Sequence, residues 1–198
     1  MPITTQNNNL LEKPVVVFAL LDWGLGHTTR TLPIIRHLME LNYIPIVACN
    51  PHQKALLREE LPAIEFIHLD GYNLKYSSLG SYTRLMIIFQ IPKILIKIKQ
   101  ENRWLRHFLR KRKIDLVISD NRFGFYSSNI PSVFITHQLG IRTGMGSIAN
   151  RLIRSFNYRY INRFSSCWVP DFKTEPNLAG ILSHPPHVPE KPVTYLGC

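Results

Sequence analysis

The residues best suited to chemistry are the run Gly24-Leu25-Gly26-His27-Thr28-Thr29-Arg30, which follows an apolar stretch at 15–21. The two glycines permit a tight turn and let a ligand approach the backbone closely. The apolar spacing that follows (Leu32, Ile34, Ile35, Leu38, Met39) is helical, so the run opens a helix. A helix N-terminus offers free N–H groups and the positive end of a dipole, which suit a phosphate or another anion. A histidine placed there titrates near neutral pH and can move protons. His27 is therefore the candidate catalytic residue, with Gly24, Leu25, Gly26, Thr28 and Arg30 as candidate substrate contacts. The dinucleotide fingerprint is not met. Its third glycine position holds Thr29, and the second strand ends in Ala48-Cys49-Asn50 with no acid for a ribose. No Gly-Lys-Ser/Thr follows, so this is not a Walker loop.

The elements that position this run alternate strand and helix. Strands are expected at 15–21, 44–48, 65–69, 115–119, 132–136, 167–169 and 193–196. Helices are expected at 28–41, 51–60, 82–112 and 148–163, with Pro92 kinking or breaking the long one. Such βα alternation implies an α/β fold with a doubly wound, Rossmann-like, mostly parallel sheet. Ligands of these sheets bind beyond the carboxyl ends of the strands. There the sequence places Asp120 and Arg122 after the fourth strand, His137 and Gln138 after the fifth, and Asp171 after the sixth. Asp and Asn at such points also serve ordinary turns and caps. No cluster has metal-ligand spacing, and Ser127 and Ser128 lack a Gly-x-Ser-x-Gly context, which argues against a serine hydrolase.

Composition narrows the class further. At 198 residues and 45% hydrophobic, the chain is long enough for one ordinary domain or half of a two-domain protein. Cys49, Cys167 and Cys198 are scattered and odd in number, as in a reduced, cytoplasmic protein. The segment 1–13 reads as a polar tail without a signal peptide, and no stretch reaches the roughly 18–20 apolar residues of a membrane span. Residues 14–170 read as the Rossmann-like domain. Residues 171–198, rich in proline and ending on a lone strand, read as a linker and the start of a second domain.

The net charge of +11 is concentrated rather than spread. Between Ser81 and Lys113 there are ten Lys/Arg against the single acid Glu101. On a helical wheel Ile91, Ile94, Leu95, Ile98, Leu105 and Leu109 share one face, while Lys93, Lys97, Lys99, Arg103, Arg106 and Arg110 take the other. A solvated face normally mixes signs; this one does not. Lys93, Lys97 and Arg103, with the apolar Leu85, Ile88 and Phe89, are candidate contacts to an anionic membrane surface or a lipid-phosphate acceptor. Nucleic acid is set aside, because Trp104 and Phe108 lie at core spacing and no recognition motif is present.

Two separated motifs carry a family resemblance. The run Gly24 to Arg30 resembles the Gly-rich loop that opens the N-terminal domain of GT-B glycosyltransferases, among them the lipid-linked N-acetylglucosaminyl transferase of peptidoglycan synthesis. Ile135-Thr136-His137-Gln138, followed by Ala149-Asn150-Arg151-Leu152-Ile153, is similar to that family's His-Glu-Gln-Asn stretch and its helix. The resemblance implies an inverting, metal-independent transferase without a cofactor, whose donor is a nucleotide-sugar and whose acceptor is a sugar or lipid-linked hydroxyl. This chain would be the acceptor-binding domain, inactive without a second domain supplied in cis or in trans. His27 would be the base, and His137 and Gln138 would border the acceptor cleft. The expected location is the cytoplasm, including the inner face of the membrane. Two alternatives remain open at this point: a nucleotide-sugar hydrolase, and a non-catalytic membrane-anchoring subunit of a split transferase.

Overall fold

The computed structural model describes residues 13–22, 25–72, 80–142 and 144–197, without the side chains of Leu25 and residues 80–89. Gly24 and the side chains of Leu25, Leu85, Ile88 and Phe89 therefore lie outside the described residues. Seven strands form one parallel sheet in the order β3-β2-β1-β4-β5-β6-β7. They are β1 (Val15–Leu20), β2 (Ile44–Cys49), β3 (Glu65–His68), β4 (Leu116–Asp120), β5 (Ser132–Ile135), β6 (Ser166–Val169) and β7 (Val193–Tyr195). The helices are α1 (Leu25–Glu40), α2 (Pro51–Glu60), α3 (Gly80–Lys111) and α4 (Ser147–Ile161), with a short 3-10 turn at Gly180–Leu182.

The central strands read as unbroken apolar runs because both of their faces are covered. Val16, Phe18 and Leu20 of β1 pack with Ile35 and Leu38 of α1 and Leu57 of α2 on one face. Val17 and Ala19 pack with Leu105 and Trp104 of α3 and with Phe125 on the other. This period of two, covered from both sides, makes the sheet doubly wound. The strand order reverses direction between β1 and β4, and the crevice beyond their carboxyl ends is where such sheets bind ligands.

Three local differences from the sequence reading matter for the site. The helix α1 starts at Leu25, earlier than expected, so Gly26 and His27 belong to its first turn and not to a loop before it. The long helix α3 runs through Pro92 without a break. Proline there costs one ladder bond, but the residue is exposed, so water can satisfy the freed carbonyl. Ile91, placed on the buried face by the wheel, is 39% exposed.

The C-terminal segment also belongs to this sheet. The strand at 193–195, expected as the opening of a second domain, pairs in parallel with β6 as the edge strand. The proline-rich stretch before it is tied down by Asp171. That carboxylate accepts from the backbone N–H of Phe172, Leu178 and Ala179 and from the Ser183 hydroxyl. Burial opposes its charge, but these bonds outweigh that cost and hold its pKa down at about 2. Asp171 is thus a structural anchor, which removes it from the rim of polar groups expected from sequence. Cys49 and Cys167 are buried, and burial pushes their thiols up to about 11 and about 12, so both stay protonated.

Candidate active site

At the crevice between β1 and β4, four side chains meet from the carboxyl ends of three strands and the helix start that follows the first. His27 comes from the first turn of α1 and Arg30 from one turn later, both immediately after β1. Asp120 is the last residue of β4, and His137 follows β5. His27 Nδ1 lies 2.8 Å from Asp120 Oδ2. Arg30 spans the group: one terminal nitrogen lies 2.7 Å from His137 Nδ1, and the other donates to Asp120 Oδ1 while lying 2.6 Å from His27 Nδ1. Asp120 is 1% exposed, whereas the His27 and Arg30 side chains are 13% and 20% exposed. The carboxylate is thus interior, and the His27 and Arg30 side chains face outward.

Burial holds the His137 pKa below its ordinary value, and the neighbouring Arg30 and His27 add to the effect. A neutral His137 can accept from Arg30 at Nδ1. Thr31, fully buried, donates to the His27 carbonyl at 2.8 Å and stiffens this first turn. The backbone N–H groups of Leu25, Gly26 and His27 stand in the first turn of α1, ahead of its first intrahelical hydrogen bond. A Cβ added at Gly26 would meet nothing within 4 Å, so that glycine leaves open space beside the turn and is not required by packing.

An apolar cavity of about 270 Å³ opens beside His27. Leu21, Tyr72, Ile94, Phe123, Ile141, Ile153 and Phe156 give it an apolar wall, and Asn121, Thr136, Gln138 and Asn157 add polar points. Asn121 sits at φ 55, a left-handed conformation that asparagine tolerates better than most residues. That turn lets Asn121 line the cavity while Arg122 turns inward. Gln138 is fixed by its backbone, which donates to Thr136 Oγ1 and accepts from Asn157 Nδ2.

The structure brings together His27, Arg30, Asp120 and His137, with Gln138 at the cavity and Gly26 beside it. Thr28 is 1% exposed and its hydroxyl has no partner, so it faces the interior. Arg122 is not at the rim: it is 2% exposed and committed to internal partners. Its Nε donates to Glu101, and its terminal nitrogens donate to the Leu20 and Asp70 carbonyls at 3.1 and 2.6 Å. The tyrosine ring of Tyr72 lies under its guanidinium. Glu101 also accepts from the Tyr72 hydroxyl and the Gly124 N–H at 2.7 and 2.9 Å. A Cβ at Gly124 would come within 2.3 Å of the Ile98 carbonyl, so only glycine fits there. Burial, and then the Glu101 charge, push the Tyr72 phenol well above its usual pKa, so it remains a donor. This network was missed from sequence, although its signal was there: Glu101 is the one acid in a run of ten bases.

On α3, Lys99, Arg103, Arg106 and Arg110 are exposed and form no ion pair among the described residues. Lys97 lies against a second hollow with Asp70, Gln100 and Trp104. No helix among the described residues is long and apolar enough to cross a membrane, and no described cluster of His, Cys, Asp or Glu could hold a metal ion.

Comparison with solved structures places this architecture. Phytolacca americana UGT2, solved with UDP-2-fluoro-glucose and pterostilbene, overlaps 93% of this chain and 54% of its own at a TM-score of 0.56 and 13% identity. The fold is shared with GT-B glycosyltransferases. A Polygonum tinctorium UDP-glucosyltransferase overlaps 93% of this chain and 52% of its own, at 0.53 and 13% identity. Glycyrrhiza uralensis UGT73P12 overlaps 80% and 44%, at 0.51 and 9% identity. The chain spans about half the length of these structures. No protein-family model and no curated protein matches it.

Proposed function

We propose that this chain is the acceptor-binding half of a glycosyltransferase that moves a sugar from a nucleotide-sugar to a hydroxyl acceptor, with His27 as the general base. One observation carries the reading: His27 lies 2.8 Å from the buried Asp120 carboxylate through Nδ1 and lines an apolar cavity. With the proton on Nδ1 donated to Asp120, Nε2 keeps a lone pair for the acceptor. As the acceptor oxygen attacks the anomeric carbon, Nε2 takes its proton and the bond from that carbon to the diphosphate breaks. Configuration at the carbon inverts, and the Asp120 charge offsets the imidazolium that forms. The free N–H groups at the start of α1 face the charge that builds on the leaving diphosphate. The scheme calls for no metal. The nucleotide contacts come from a second domain, in this chain or another, and this half alone is inactive because transfer needs both substrates in line.

The cavity wall favours an acceptor with an apolar body and a hydroxyl near His27, over water. Pterostilbene, which is bound in the Phytolacca structure, is a molecule of that kind. The exposed cations of α3, beside the exposed Ile91 and Ile96, support contact with an anionic membrane surface, hence a cytoplasmic enzyme peripheral on the inner face.

The test is nucleotide release by the full-length enzyme from a panel of nucleotide-sugars. It is run with and without apolar hydroxyl acceptors and membrane lipid, beside His27→Ala. Acceptor-dependent release that falls roughly a thousandfold in the variant supports the base. Release without acceptor makes the protein a hydrolase. No release, with binding to anionic vesicles intact, makes it an anchoring subunit.

A further inference from the structure

The contacts at His27 Nδ1 do not all agree with one another. Nδ1 carries either one proton or one lone pair. Asp120 Oδ2 at 2.8 Å accepts only, and the Arg30 nitrogen at 2.6 Å donates only. Whichever form His27 takes, one of these two neighbours opposes it. The balance between them follows from what else each partner has. Asp120 already accepts from Arg30 on Oδ1, and its charge is neutralised there. Arg30 is short of acceptors: its Nε is buried and has no hydrogen-bond partner. His137 uses one terminal nitrogen of Arg30, and the second hydrogen of the other points at His27. A cation lacking acceptors gains more from the Nδ1 lone pair than a neutralised carboxylate gains from an Nδ1 proton.

We infer that Arg30 is a positioning residue that holds His27, in the empty site, as the Nε2–H tautomer, a form that cannot take a proton from an acceptor. The inference rests on His27 being the base, and it adds a brake to that role. Release of the brake moves the guanidinium off Nδ1. Nδ1 then takes a proton from water and offers it in a hydrogen bond to Asp120, Nε2 of the transient imidazolium returns its own proton to water, and the ring is neutral before and after the exchange. Base strength is thereby withheld until the site rearranges, which suits a reaction whose wasteful alternative is transfer to water.

The brake is read by nitrogen-15 spectra of the imidazoles, which distinguish the two tautomers without any turnover. The signals of His27 are assigned among the eight histidines by comparison with a His27→Gln spectrum. The wild-type protein is expected to show mostly Nε2–H at His27, and Arg30→Met mostly Nδ1–H. The ratio should move by roughly tenfold or more, the worth of one charge-assisted hydrogen bond. An Nδ1–H wild type, or an unchanged ratio in a folded variant, overturns the inference. If Arg30→Met does not fold, the wild type decides alone. A through-bond coupling between an Arg30 terminal nitrogen and His27 Nδ1 upholds the brake, and its absence overturns it. Because these readouts involve no substrate, they can fail while sugar transfer by His27 stands, and the reverse.

Discussion

Two arginine–carboxylate groups sit within one loop of each other, and they are built to opposite rules. In the Glu101–Arg122 group every arginine nitrogen has its own acceptor, and the carboxylate answers Arg122, Tyr72 and Gly124 together. The Asp120–Arg30 group is the reverse: one nitrogen of His27 is claimed by two partners of opposite demand, and Arg30 Nε has none. The first is buried at the floor of a hollow shared with Lys97 and Trp104, and the second meets the apolar cavity through the more exposed His27. A fully satisfied buried network fixes one arrangement of the chain. A conflicted group with two partly exposed members can exist in two arrangements, which the proposed proton transfer requires. Similar residues near the end of β4 therefore differ in build, structural in one case and, in the proposed reaction, chemical in the other.

Breaking the satisfied group should have the largest effect on folding. Arg122→Met leaves the Glu101 charge buried without its partner and frees two carbonyls. It is expected to cost about 3–5 kcal/mol and to lower Tm by roughly 10 °C, with kcat per folded molecule little changed. Thermal unfolding beside active-site titration checks this. A stable Arg122→Met protein that had lost only activity would return Arg122 to the substrate rim and end the comparison.

Asp120→Asn probes the other group. The amide cannot offset an imidazolium, and it disturbs the ring tautomer. The variant should lose roughly a thousandfold or more in kcat while its stability changes by no more than about 1–2 kcal/mol. Steady-state kinetics and a melting curve measured on one preparation separate the two quantities. Equal damage to both would mean that the two groups are alike after all.

The smallest effect sharpens the contrast. Tyr72→Phe removes one hydrogen bond to Glu101 while keeping the ring under Arg122. It should cost about 1 kcal/mol in denaturant unfolding. A cost near that of Arg122→Met would make the phenol, and not the arginine, the keystone of the satisfied group.

Much of this was legible in the sequence, for definite reasons. The apolar runs at β1, β2 and β4 are continuous because both sheet faces are covered, and their alternation with helical segments implied the parallel sheet. The Gly-x-Gly-His run announced a helix start after the first strand. Asp120 and His137 were expected from their places after strands four and five. Other features were hidden because their meaning depends on partners far away in sequence. Arg122 reads as a rim residue until Glu101, 21 positions earlier, is seen beside it. The strand at 193–195 reads as a new domain until β6 is found alongside. The wheel put Ile91 inside because spacing along a helix gives a face, but not where the sheet beneath it ends.

By itself the sequence determined the periodicities, the sign of the charge on α3, the helix start carrying His27, and the chemical types available at the strand ends. Local pattern suffices for these because backbone geometry repeats every two or 3.6 residues. Only the tertiary structure decided which arginine is buried and which is poised, and which carboxylate faces His27. It also decided that an apolar cavity opens there, walled by α3, α4 and the loop after β4. Those outcomes depend on contacts between residues on the order of a hundred positions apart, which no local pattern encodes, since they are set by how the covered sheet brings its strand ends together.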